Sequence, residues 1–208
     1  ADFGPGGKIS LFTNSTINND NAIETLQMDI NSDDFDAALF TALWPTNVAT
    51  ANQRWFRQHL PSGRLRDAKL SMRTRYDVDF GRHILQDING SWRLHEATLG
   101  WSDHLPPFTN LHADLSLDNT KLLANITNAN FGGMSVQHGN LTISPVAGDT
   151  LRQAGLSISM KGGLGKAINH AKSSGLTTFA TIDMTDVTAS GEAEMILQAA
   201  FPLGEKIN

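Results

Sequence analysis

Thirteen residues, from Ala68 to Phe80, alternate between apolar and polar side chains with a single exception at Thr74. A period of two places successive side chains on opposite faces of a β-strand, so the segment predicts a strand with one apolar and one polar face. At ~3.3 Å per residue this strand would run roughly 40 Å, whereas typical strands have about 5–6 residues. The segment therefore predicts an extended, curved sheet with a long apolar face that something must cover.

Length and charge restrict the class of protein. The chain has 208 residues, and no shift in composition divides it, which favours one large domain over residues 1–208. The formal net charge of -5 argues against a nucleic-acid partner, because phosphate binding requires an excess of Lys and Arg. The chain has no cysteine, so disulfides and thiolate metal sites are excluded.

The sequence predicts no membrane-spanning helix and no signal peptide within these residues. No apolar run approaches the ~20 residues that a spanning helix needs, and the glycine-rich start after Ala1 lacks the charged-then-apolar pattern of a signal peptide. The pattern begins abruptly, which predicts a fragment of a longer chain whose membrane anchor lies outside it.

Short alternating segments separated by Gly, Asn and Asp turns continue through the rest of the chain. They predict about nine or ten antiparallel strands, with helices at residues 33–43, 46–59 and 164–173. The apolar positions change parity near His95 and Glu96, which indicates a β-bulge. The predicted fold is mainly β: a long curved antiparallel meander, open as a groove, with two or three short helices capping one end.

Motifs for catalysis, cofactors or metals are weak. The run from Gly162 to Ala167 lacks the spacing and the hydroxyl residue of a phosphate-binding loop, so we predict no catalytic residue and no cofactor. His112 and Asp114 lie two apart on one strand, which could begin a metal site, but solvent-facing polar residues produce the same pattern. We therefore predict no metal.

The strongest remaining signal is the apolar face. A continuous apolar face has two interpretations: an ordinary closed core, or a groove that binds acyl chains. Burial of an acyl chain in such a groove contributes roughly 0.8 kcal/mol per CH₂. Strand length favours the groove. The predicted groove positions are Leu70, Met72, Tyr76, Val78, Phe80, Trp92, Leu94, Leu99, Trp101, Leu115, Leu117, Ile126, Phe131, Val136, Ile143, Leu156 and Met160.

Several short motifs follow one another along the chain in a characteristic order. They are Leu43-Trp44-Pro45, a helix with Trp55, Leu60-Pro61-Ser62-Gly63, Leu65-Arg66-Asp67-Ala68-Lys69-Leu70, Asp87-Ile88-Asn89-Gly90, Ala97-Thr98-Leu99-Gly100-Trp101, Leu105-Pro106-Pro107, Phe131-Gly132-Gly133 and Gly162-Gly163-Leu164. This order resembles the AsmA-like family, in particular the domain shared by the YhdP branch of bacterial envelope proteins. The resemblance covers residues 39–176, and Trp101 stands where that pattern typically has Tyr.

The resemblance implies a non-enzymatic segment of a bridge-like lipid transport protein. Such proteins are anchored in the inner membrane and cross the periplasm as a β-groove that carries phospholipid toward the outer membrane. The implied partners are phospholipid acyl chains and neighbouring segments of the same chain. Two alternatives stay open: an envelope assembly module that binds a protein partner, and a carbohydrate-binding or hydrolase domain that uses Trp92 or Trp101.

Overall fold

The computed structural model describes residues 8–17, 23–39, 57–100, 106–119, 121–145, 152–166, 168 and 190–203. Short helical segments occupy residues 37–39, 57–59 and 164–166 of this part. Strands form nearly all of the remainder: β1 (Ile9–Ile17), β2 (Ile23–Asp36), β3 (Ser62–Asp77), β4 (Arg82–Leu99), β5 (Phe108–Asp118), β6 (Lys121–Phe131), β7 (Met134–Pro145), β8 (Arg152–Gly163) and β9 (Glu192–Leu203).

Every strand pairs antiparallel with its neighbour in sequence, in the order β1 to β9, which confirms the predicted meander. Within the described residues β1 and β9 are the two edges, so the sheet is open. The longer connections, residues 37–61, 100–107 and 164–191, all leave from one end, here called the capped end. The two-residue turn between β6 and β7 lies at the same end. The opposite end, called the turn end, carries connections of two to six residues.

Three bulges in adjacent strands bend the sheet. Asp67, Glu96 and Asn110 have φ values of 49°, 51° and 49°, and each lies at a break in the ladder register of β3, β4 or β5. An extra residue bends its strand and reverses which side chains face inward. The bulge predicted from the parity change near Glu96 is therefore confirmed, and its two neighbours increase the curvature.

The curved sheet encloses its own core on the face that we call the inner face. Phe108 and Phe131 are each only 1% exposed, and their ring centroids lie 4.7 Å apart. A flat single sheet would leave both faces in water, so such burial requires side chains of several strands and of the helical segments to cover one another. The other face, here the outer face, carries most of the charged side chains.

The predicted end of the long strand was wrong. β3 has 16 residues and ends at Asp77, and Val78 and Phe80 belong to the turn that follows. The Asp77 carboxylate accepts hydrogen bonds from the backbone N–H groups of Asp79 and Phe80, at 3.0 and 3.2 Å. A side chain that bonds the backbone two residues on forms a turn, and this one ends the strand although the alternation continues.

The helix predicted from residue 33 was also wrong in its first turn. β2 continues to Asp36, because Asp34 and Asp36 pair with Arg66 and Arg64 in the ladder, and Arg64 Nε donates to Asp34 Oδ1 at 2.7 Å. These long-range contacts outweigh the local capping signal. Trp44, Pro45 and Trp55 lie outside the described residues, as does most of the third predicted helix.

Candidate functional site

At the capped end, helical segments cover the inner face. Ala37 and Leu60 are 0% and 4% exposed and belong to the hydrophobic core. His59 Nδ1 donates to the Gly100 carbonyl at 2.6 Å, and Gly100 N–H donates to the His59 carbonyl at 2.9 Å. This pair of hydrogen bonds fixes the chain before β3 to the end of β4, so the core is closed to water here.

At the same end, the helical segment after β8 contacts the turn between β6 and β7 and the residue before β9. Leu164 N–H donates to the Gly191 carbonyl at 2.9 Å, and Lys166 Nζ donates to the Gly133 carbonyl at 3.2 Å. A Cβ on Gly133 would approach Lys166 Nζ to 2.8 Å, so the lysine lies directly over the β6–β7 turn. Side chains therefore cover both halves of the capped end.

At the turn end, β3 and β4 extend beyond β5. The last ladder pair between β4 and β5 is Gly90 with Leu117, and Ile88 N–H donates instead to Asn119 Oδ1 at 2.7 Å. Residues 82–87 of β4 consequently lack a partner in β5, whereas β3 pairs with β4 as far as Asp77 and Arg82. We call residues 72–88 the projecting hairpin.

Exposed apolar side chains concentrate at this end. Nine large hydrophobic side chains of the described residues are exposed, and six of them lie at the turn end. Val78 and Phe80 are the extreme cases at 83% and 69%. Single exposed hydrophobic residues are ordinary, but a group of them at one end indicates an interaction site. The six are Ile17, Ile23, Tyr76, Val78, Phe80 and Leu85.

The predicted groove positions occupy three environments. Buried in the core are Met72, Leu94, Leu115, Ile126, Phe131, Val136, Leu156 and Met160. Intermediate positions are Leu70, Trp92, Leu99, Leu117 and Ile143. Tyr76, Val78 and Phe80 are exposed, and Trp101 lies outside the described residues. A ligand would therefore meet the exposed group first, since the buried group is covered by the chain itself.

Polar groups interrupt the inner face on the projecting hairpin. Thr74 is 5% exposed, and its Oγ1 lies 3.2 Å from His83 Nδ1. The His83 ring meets the Tyr76 ring edge-on, with centroids 5.5 Å apart, and Tyr76 pairs with His83 in the ladder. We call Thr74, Tyr76 and His83 the mouth cluster. The sequence analysis treated Thr74 only as an exception in the alternation, and neither His83 nor the exposed Leu85 was among the predicted groove positions.

The outer face carries a hollow of about 500 Å³ between β2 and β5. Its charged lining includes Asp67, Lys69, Arg93 and Asp114, and Asp67 forms an ion pair with Arg93. Trp92 also borders the hollow, but its side chain packs against the inner-face core. The aromatic ring is thus unavailable as a stacking platform on the outer face.

Two histidines lie together near the bulges. The His95 and His112 rings meet edge-on with centroids 4.2 Å apart. Burial lowers the pKa of His95, and the positive charge of Arg66 adds to this effect. The described residues contain no group of three or more His, Asp or Glu side chains that could hold a metal ion. His112 and Asp114 therefore gain no third ligand within this part of the chain.

The described residues thus form an open, nine-stranded antiparallel meander with three short helical segments, which is a mainly β fold. A family model described as YhdP protein matches residues 11–208. The chain belongs to the YhdP family, a family of AsmA-like bacterial envelope proteins, which confirms the resemblance and extends it beyond residues 39–176.

The remaining comparisons found nothing comparable. No curated protein and no solved structure matches the chain. None of the helices in the described residues has the length and hydropathy needed to cross a membrane.

Proposed function

We propose that this chain is a non-enzymatic lipid-binding segment, which holds phospholipid acyl chains along the inner face of the projecting hairpin. The observation that carries the proposal is the position of the exposed apolar side chains. Among the described residues, six of the nine exposed large apolar side chains lie at the end where β4 no longer pairs with β5. Membership of an envelope protein family supports the same function.

Hydrophobic burial would supply the affinity. Covering about eight methylene groups contributes roughly 6 kcal/mol, from which the cost of association is subtracted. The resulting affinity is modest, which suits a protein that passes its cargo on, because release must follow binding. The head group would stay in water at the turn end, and the proposal needs no catalytic residue, metal or cofactor.

The cellular setting belongs to the same proposal. The segment would lie in the periplasm as part of a longer bridge, with neighbouring segments of the same chain continuing the path between inner and outer membranes. A membrane anchor in the parent protein would then hold the bridge in place. The family's place in the envelope supports this setting.

A second candidate function is an assembly module that binds a protein partner of the envelope. The closed capped end favours it, because the buried positions from Leu60 to Met160 pack into one hydrophobic core. This alternative predicts that the protein contains no lipid, and that the exposed patch at the turn end contacts a protein.

Lipid extraction distinguishes the two candidates. The protein is purified without detergent, and bound lipid is extracted and quantified by mass spectrometry. We expect phospholipid in the wild type and a loss of at least fivefold in Leu85→Asp, because a carboxylate on the inner face opposes an acyl chain. Ile196→Asp is the matched control, since Ile196 is 71% exposed on the outer face. Absence of lipid from the wild type, or equal loss in both variants, would contradict the proposed function.

A further inference from the structure

We propose that the mouth cluster binds an oxyanion at the polar end of a lipid, such as a phosphodiester or a carboxylate, whose acyl chain lies on the projecting hairpin. This inference rests on the proposed function and adds a head-group site to it. The three side chains stand at the boundary between the apolar inner face and water, where the head group of a bound amphiphile would lie.

Thr74 determines which nitrogen of His83 faces outward. Its hydroxyl has two acceptors in range, His83 Nδ1 at 3.2 Å and the Leu26 carbonyl at 3.5 Å. In the neutral tautomer that is protonated on Nε2, Thr74 donates to Nδ1 and Nε2–H is a donor. In the other neutral tautomer Nδ1 donates to Thr74, whose own proton goes to the Leu26 carbonyl, and Nε2 is an acceptor. The proposed site uses the first tautomer, which an oxyanion beside Nε2 would favour.

Tyr76 supplies a second donor beside the first. Its hydroxyl lies over the turn, because a Cβ built on Gly81 would be 3.9 Å from Tyr76 Oη. Among the described residues neither Tyr76 Oη nor His83 Nε2 has a hydrogen-bond partner. Two donors on rings in edge contact, with centroids 5.5 Å apart, suit an oxyanion, which accepts through more than one oxygen.

The surroundings select an amphiphile rather than a free anion. Leu85, 46% exposed, pairs with Thr74 in the ladder, and Phe80 is 69% exposed in the adjoining turn. Of the nearby carboxylates, Asp77 already accepts two backbone N–H groups of the turn. Glu24, next to the Thr25–Arg75 pair, and Asp79 of the same turn add negative charge that the two donors must outweigh. A ligand that satisfies both the donors and the apolar side chains therefore has an anionic head and a hydrocarbon chain.

Binding selectivity tests the inference. Affinities are measured for three probes that carry oleoyl chains: dioleoyl phosphatidylethanolamine, with two chains and a phosphodiester; oleate, with one chain and a carboxylate; and dioleoylglycerol, with two chains and no oxyanion. We expect the wild type to prefer at least one anionic probe over dioleoylglycerol by about tenfold, since a hydrogen bond to a charged group has about that effect. Which anionic probe binds more tightly identifies the source of the oxyanion.

Two variants remove one donor each. Tyr76→Phe deletes only the hydroxyl, and His83→Ala deletes the imidazole. Each should reduce the preference about three- to tenfold while dioleoylglycerol affinity stays constant. His138→Ala, an exposed histidine on the outer face, is the matched control and should change nothing. Because the affinities are compared as a ratio, partial unfolding of a variant does not imitate the result.

The single tyrosine provides an independent signal. Tyr76 is the only tyrosine in the sequence, so 3-fluorotyrosine gives one ¹⁹F resonance at the mouth cluster. This resonance should shift with the anionic lipid and stay in place with dioleoylglycerol. Equal affinity for all three probes would overturn the head-group site and leave acyl-chain binding intact. A shift with inorganic phosphate alone, at the same concentration, would reassign the cluster to free anions, and absence of binding by every probe would contradict both proposals.

Discussion

Truncation of two phenylalanines of the predicted groove should separate protein stability from lipid binding. One truncation should lower the stability, and the other should weaken lipid binding. Phe131 is 1% exposed and packs against Phe108 at the capped end, whereas Phe80 is 69% exposed in the turn of the projecting hairpin. Phe131→Ala removes a buried ring and leaves a cavity, so it should lower the free energy of unfolding by about 3–5 kcal/mol. Phe80→Ala removes a ring that is mostly in water, and its effect should stay within about 0.5 kcal/mol.

Urea denaturation measures both changes, provided that the m-value stays constant between variants. Lipid binding should show the reverse order. Phe80→Ala should weaken it because the exposed ring contacts the acyl chain, and Phe131→Leu, which retains a buried apolar side chain, should leave it unchanged. A loss of less than about 1 kcal/mol for Phe131→Ala would refute the reasoning, since a closed core cannot tolerate such a cavity so easily.

Three further predictions concern the fold. Gly139→Ala should destabilise by about 1–3 kcal/mol in urea denaturation, because its Cβ would lie 2.5 Å from Ile158 Cγ2; an unchanged midpoint would contradict this. Glu96→Val should cost about 1–2 kcal/mol at its positive φ, and Glu96→Gly less than Glu96→Val; equal effects would show that the bulge is relaxed. The pKa of His95 is lowered from 6.5, so stability should decrease as the pH falls below 6.5, because the unfolded ring takes up a proton first. His95→Gln should flatten that decrease, and an identical pH profile would argue against it.

Alternation and turn residues were sufficient to predict the antiparallel meander. Each face assignment followed from a local period of two, and even the bulge at Glu96 was visible as a change of parity. The end of β3 was not predictable in the same way. Val78 and Phe80 continue the apolar alternation, and only the hydrogen bonds of the Asp77 side chain reveal that the chain has already turned.

The difference in burial between side chains on the same face was the second feature that could not be predicted from the sequence. Met72 and Tyr76 share the inner face of β3, yet they are 7% and 36% exposed. Alternation identifies which way a side chain points, whereas its exposure depends on how far the neighbouring strands extend. The ladder between β4 and β5 ends at Gly90, and that non-local fact separates the core from the candidate site.

The contacts of the mouth cluster also depend on strand pairing, which the sequence alone does not reveal. Thr74 could be recognised as a polar residue at an apolar position, but its partner His83 lies across a turn in β4. Their contact depends on the pairing of Thr74 with Leu85 and of Tyr76 with His83. A one-residue change in that register would place the imidazole on the outer face.

The most direct test of the central claim is where an acyl chain lies on the protein. A phosphatidylethanolamine with a diazirine at the end of one acyl chain is bound to the protein, activated by light, and the labelled residues are identified by mass spectrometry. We predict labels on the exposed apolar side chains of the projecting hairpin, at Tyr76, Phe80 and Leu85, and no excess on Lys69 or Ser71 of the outer face. Equal labelling of both faces, or no labelling above that of the urea-denatured chain, would contradict the account.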